Sequence, residues 1–212
     1  MNRNTLLLEG KNDRHVVYSF CGQHHLGKFQ DKEVVEAPSK EKLLSNLKTY
    51  IRASAGGNIG ILIDADENPA GTWESIRNTI REMDLGFSLP NDLPREGLIA
   101  PNPDNPLHPL LGVWIMPDNN TSGTLEHFLA YLINDEEQAK LTLASDSITS
   151  LESQYPDFIN NANHRAKVKL HTYLAWQSDP GVPAGQAITK KYLDPKCPEA
   201  LTFANWLRSV FF

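Results

Sequence analysis

The 212-residue sequence predicts an α/β fold: a mostly parallel sheet flanked by helices, with a helical C-terminal extension. Three observations predict it. Short apolar runs alternate with amphipathic helical patterns over the first 133 residues. The stretches between runs are long enough for parallel crossovers. The remainder reads mainly as helix. The division expected is an α/β domain over 1–133 with an extension over 134–212 packed on it as one structural unit.

Each element has a local cause. Thr5–Leu8 is a short apolar run ended by Glu9-Gly10. From Asp13 to about Gln23, Val16, Val17, Phe20 and Cys21 recur at helical spacing. Glu33–Glu36 reads as a short strand. Ser39 can cap a helix carrying Leu43, Leu44, Leu47, Tyr50 and Ile51. Gly56-Gly57-Asn58 punctuates, and Ile59–Ile63 is a buried strand ending in Asp64-Ala65-Asp66. Pro69 or Ala70 starts a helix with Trp73, Ile76, Ile80 and Met83 on one face. Residues 86–110 are rich in Pro, Asn and Gly, with one strand candidate at Gly97–Ala100. Leu111–Met116 is a further apolar strand stopped by Pro117-Asp118. Ser122-Gly123 opens a helix through Leu125, Phe128, Leu129 and Leu132. Helices are expected at roughly 135–153, 160–177 and 199–210, with turns near Pro180-Gly181 and Pro195.

Composition excludes several classes. The chain is 40% apolar and 22% charged, with a mean hydropathy of −0.40, an ordinary globular balance. No run approaches the ~20 apolar residues of a membrane-spanning helix. Met1-Asn2-Arg3-Asn4-Thr5 leads into only three leucines, so no secretory signal is expected. Cys21 and Cys197 form neither a disulfide framework nor a Cys/His array, which points to a reducing, cytoplasmic setting. The net charge of −6 argues against a nonspecific DNA-coating protein. That charge is unevenly spread: residues 1–159 hold 13 basic and 23 acidic side chains, residues 160–212 hold 7 basic and 3 acidic.

The position of the acids is the informative feature. Three apolar strands each end in one: Glu9, Asp64 and, through Pro117, Asp118. In an open parallel sheet all carboxyl ends share one edge, where ligands bind. Asp66 follows Asp64, Asp13 lies one helical turn beyond Glu9, and Glu126 lies in the first turn of the helix after Asp118. Several carboxylates in one crevice raise each other's pKa values unless a cation compensates. All-oxygen ligands suit Mg²⁺ or Mn²⁺, and the lack of a Cys/His array disfavours zinc. Each acid also has a plain structural reading: Asp64, Asp66 and Asp118 as loop residues, Asp13 and Glu126 as first-turn helix acids.

The strand and Leu8-Glu9-Gly10-Lys11-Asn12-Asp13 resemble the first motif of the TOPRIM superfamily, and Ile61-Leu62-Ile63-Asp64-Ala65-Asp66 resembles its second. The segment Gly112–Asn119, then Gly123–Glu126, Ala166–Ala175 and Gly185–Ile188 resemble a group of small stand-alone TOPRIM-like bacterial proteins of uncharacterised function. The likeness extends more distantly to the TOPRIM domains of the overcoming-lysogenisation-defect (OLD) nucleases. It implies a TOPRIM-like sheet, Glu9 as general acid/base or metal ligand, and Asp64 and Asp66 as Mg²⁺ ligands. By analogy with OLD-type enzymes it implies Asp13, Asp118 and Glu126 as further ligands and Lys167 or Lys169 as a catalytic lysine. It also implies a separate ATPase or defence-system partner, since the chain carries no ATPase module.

Arg165, Lys167, Lys169 and His171 sit on one predicted helix, where Arg165 and Lys169 share a face able to hold phosphate. His15, His127 and His164 lie near the candidate site. Trp176, Tyr173, Phe203, Trp206, Phe211 and Phe212 are spaced as helical core. The function expected is a Mg²⁺-dependent (or Mn²⁺-dependent) phosphodiester-handling enzyme, a nuclease on DNA or RNA. Two other readings stand beside it: a non-catalytic nucleic-acid, nucleotide or partner-binding subunit, and a small phosphate-ester hydrolase. A homo-oligomer is compatible with all three, and no membrane association is expected.

Overall fold

The computed structural model describes residues 4–54 and 56–212. Five strands form one sheet: β1 (Thr5–Leu8), β2 (Val34–Glu36), β3 (Ile59–Asp64), β4 (Leu98–Pro101) and β5 (Leu110–Met116). Their order is β2-β1-β3-β5-β4, parallel except for β4, which pairs antiparallel with β5. The α/β expectation therefore holds, with one antiparallel edge added. The 86–110 stretch supplies that edge strand, because its Pro-rich connection doubles back on β5 rather than crossing over.

Helices cover both faces: α1 (Lys11–Gln23), α2 (Lys40–Ser45), α3 (Leu47–Ala53), α4 (Pro69–Glu82), α5 (Leu125–Tyr131), α6 (Gln138–Gln154), α7 (Ala162–Ala175), α8 (Ala184–Thr189) and α9 (Pro198–Phe211). The strand side chains sort by the period of two. Leu7, Ile59, Ile61, Ile63, Leu111, Val113 and Ile115 pack with α2, α3 and α4. Leu6, Leu8, Leu62, Trp114 and Met116 pack with α1, α5, α7 and α9. Parallel strands buried on both faces explain why they read as continuous apolar runs.

Local chemistry also sets the breaks. The Ser39 hydroxyl accepts the Lys42 N–H and starts α2 as expected. The single helix expected there is two, because Asn46 interrupts it and its Nδ2 donates to the Lys42 carbonyl at 2.9 Å. The short α8 lies between the turns expected near Pro180-Gly181 and Pro195, where no helix is predicted. It packs against α1 so closely that a Cβ on Gly185 would sit 2.7 Å from the His15 carbonyl oxygen.

Residues 134–212 share the sheet's own core. Trp206 is buried, and its Nε1 donates to the Leu98 carbonyl at 3.1 Å. The α9 helix lies so near the strands that a Cβ at Gly60 would meet Phe211 at 2.4 Å, and one at Gly112 would meet Val210 at 2.4 Å. Glycine at these two strand positions is what lets α9 seat. None of the described helices is long and apolar enough to cross a membrane.

Gly112→Ala forces a methyl into that contact. The expected outcome is a loss of about 1–3 kcal/mol in urea unfolding, with the far-ultraviolet spectrum retained.

Candidate metal centre

The site is built at the carboxyl edge of the parallel strands. Glu9 follows β1, and its Oε1 accepts the Asp64 N–H at 2.8 Å. Asp64 ends β3, and its Oδ1 accepts the Leu125 N–H at 2.9 Å, in the first turn of α5. Two strands and a helix N-terminus are thus fastened through two carboxylates. Asp13, in the first turn of α1, is only 9% exposed. Glu126, in the first turn of α5, accepts the Thr124 hydroxyl at 2.9 Å.

These four acids act on one another. Burial pushes the Glu9 carboxyl up to about 7, opposed by the Asp64 N–H and assisted by the charge on Asp13. Burial pushes Asp13 up to about 6, with Glu126 and Glu36 adding to the rise. Asp64 is raised well above the ordinary aspartate value by burial, then by the charges on Glu9, Asp13 and Glu126. Buried carboxylates that repel each other are held protonated or neutralised by a cation. The donor set is all oxygen, which fits a hard divalent ion. The fit is electrostatic rather than a finished cage. Among the described residues, no three or more His, Cys, Asp or Glu side chains are already disposed around a metal position.

Asp66 and Asp118 are placed differently from those four. Asp66 adopts a left-handed backbone conformation (φ 55°) and pairs with Gly123 through two backbone hydrogen bonds. Its carboxylate accepts from Lys40 Nζ and from Asn163 Nδ2, both at 2.9 Å. Asp118 caps its own turn: Oδ1 accepts the Asn120 and Thr121 N–H groups, and Tyr131 donates to Oδ2 at 3.3 Å. That turn borders a separate cavity of about 380 Å³ with Arg95, Trp114 and Glu199. An aspartate followed by two asparagines satisfies its loop's amides locally.

The basic candidates separate too. Lys169 and Arg165 share a face, as their spacing predicts, and line a cavity of about 290 Å³ with Glu126 and His127. Arg165 is paired with Glu152. Lys167 is exposed on the same helix. His127 is pushed down mainly by burial; Glu126 opposes that, and Lys169 adds to it. His164 lies at the N-terminus of α7, where its Nδ1 accepts the Asn160 N–H at 3.3 Å.

Sequence reasoning missed Lys40 and Asn163. Lys40 opens α2 just past β2, so it occupies the same sheet edge as the acids. Extending the strand-end reasoning from acids to bases would have found it. Asn163 reaches the edge from α7, a placement set by tertiary packing that no local signal announces.

The raised carboxyls imply a defined pH response. Groups whose folded pKa exceeds the unfolded one stabilise the fold below the unfolded value, and that stability is lost as pH rises through the folded one. Without divalent ions, stability is therefore expected to fall between about pH 4.5 and 7, with Glu9 contributing on the order of 3 kcal/mol. Urea titrations at pH 5, 6, 7 and 8 in chelator check this, and Glu9→Gln should flatten the slope.

No curated protein and no solved structure matches this chain. Residues 3–212 match the model of a family described as "Protein of unknown function (DUF3226)". The match spans nearly the whole chain, so the protein belongs to the DUF3226 family.

Proposed function

We propose that the protein is a Mg²⁺- or Mn²⁺-dependent phosphodiester-handling enzyme, a nuclease acting on DNA or RNA. The observation that carries this reading is the convergence of Glu9, Asp13, Asp64 and Glu126 at the carboxyl edge, three of them with raised pKa values. The TOPRIM resemblance assigns the same chemistry to Glu9 and Asp64, which adds support. A divalent ion held there would polarise a phosphoryl oxygen and acidify a bound water. Without an ion, burial pushes Glu9 up to about 7; a cation bound beside it would favour the carboxylate, which would then hold the ion or take a proton from its water. The Asp64 N–H fixes its orientation. Lys169, beside Glu126, presents an ammonium at the rim for a phosphate oxygen.

A second reading is favoured by the absence of a finished ligand cage among the described residues. On that reading the same edge binds nucleic acid or nucleotide without cutting it, or works beside a separate ATPase.

Purified protein, tested with Mn²⁺ and Mg²⁺ on single- and double-stranded DNA and RNA, is expected to cleave at least one polymer. Glu9→Gln or Asp64→Asn should lower the rate by roughly 100-fold or more. Lys169→Met should cost about tenfold, chiefly through KM. Equal rates in wild type and Asp64→Asn would refute the assignment. Retained oligonucleotide binding without cleavage would select the second reading. Turnover of small phosphate esters alone would select a phosphatase.

A further inference from the structure

Asp66 reads from the sequence as the partner of Asp64 in an Asp-x-Asp metal pair, yet its carboxylate is already engaged on both oxygens. Lys40 Nζ donates to Oδ2 at 2.9 Å, and Asn163 Nδ2 donates to Oδ1 at 2.9 Å. The same ammonium donates to the carbonyls of Asp64 and Ala65 at 2.7 and 3.0 Å. An ammonium has three donors, and here all three are used inside the protein. The Lys40 side chain is only 17% exposed, so its charge stays where it is only with these acceptors around it. The backbone of Asp66 is fixed as well, by its paired hydrogen bonds to Gly123 at 2.8 and 2.7 Å.

For Asp66 to join a metal's ligands, it would give up a charge-assisted bond. It would also place a divalent ion beside a half-buried ammonium that had lost its anion. Asp118, the other acid assigned to a second metal, is committed to its own turn. What remains is Glu9, Asp13, Asp64 and Glu126, none of which is ion-paired with Lys40. We propose that Lys40 is the resident cation of this sheet edge. It neutralises Asp66 and keeps it out of the ligand set, so the protein binds one divalent ion rather than two. Lys40 is thereby a positioning residue: it also holds the Asp64–Asp66 turn through the two carbonyls. The inference rests on the metal reading above and deepens it.

The test is a count of bound ions, independent of turnover. The full chain is titrated with Mn²⁺ at pH 8, following free ion by electron paramagnetic resonance and heat by calorimetry. Wild type is expected to bind one Mn²⁺. The Lys40→Met, Asp66→Asn double variant, which removes both members of the pair, should bind one with affinity within about threefold, because a non-ligand and its counter-charge leave together; Asp66→Asn alone should weaken that ion, because Lys40 is left unpaired beside it. Lys40→Met should gain a second, weaker ion that disappears in the Lys40→Met, Asp66→Asn double variant. Two ions in wild type, or binding weakened by roughly tenfold or more in the double variant, overturns the proposal and leaves the metal reading standing. A folded Lys40→Met protein that still binds one ion overturns the role given to Lys40. No ion in wild type overturns both. Should Lys40→Met fail to fold, the wild-type count decides, and Lys40→Gln takes its place in the single and double variants.

Discussion

Asp64 has a carboxylate buried among other carboxylates, yet its amide donates to Glu9 and its Oδ1 accepts the Leu125 amide. Those two bonds join β1, β3 and the start of α5. They also hold like charges together at the cost of raised pKa values. The neighbouring turn is shaped to suit. Asp66 takes a left-handed conformation to pair with Gly123, and Gly123 has a φ of 146° that a side chain rarely adopts. A fold that sought stability alone would replace some of these acids with apolar or amide residues. On the proposed reading, keeping them is the conflict between stability and composition expected of a functional site.

The C-terminal helices belong to the same logic. The α9 helix seats against the sheet because Gly60 and Gly112 leave room for Phe211 and Val210. Its aromatic residues meet those of the sheet and of α1 and α5, with Phe203 in contact with Phe20, Trp114 and Phe128. The α7 helix packs against α5 and α6, and from that seat its first turn delivers Asn163 to Asp66. Six residues further along, Lys169 lines a cavity with Glu126. Residues far apart in the chain therefore meet at one sheet edge, and the extension completes the site as well as covering the sheet.

Legibility followed locality. The apolar runs at β1, β3 and β5 and the helical spacings of α1, α4 and α9 were readable, because burial on a defined face forces those periods. The direction of β4 was not, since a short run of alternating burial can pair either way. The break at Asn46 was not, because a single side chain competing for a helix carbonyl leaves the apolar spacing intact. At the site, the strand-end acids Glu9 and Asp64 converge because parallel topology places them at one edge. Asp118 has the same strand-end position but turns its carboxylate to the amides that follow it. Spacing along a strand locates a residue at an edge; the hydrogen-bond demands of the next few residues decide where its side chain goes.

On the proposed reading, a protein of net charge −6 would handle a polyanion and would need cations at the point of contact. The chain carries its basic excess in residues 160–212, and the fold brings part of that segment to the acidic edge through α7. Arg165 is paired with Glu152 and Lys40 with Asp66, so these two cations are committed to holding structure. Lys169 is half-buried next to Glu126, and Lys167 faces solvent on the neighbouring surface. On the proposed reading, substrate contact therefore falls to the uncommitted lysines of α7, while Lys40 balances charge inside. That division follows from burial: an ammonium saturated by protein acceptors has no donor left for a phosphate, and an ammonium at a rim does.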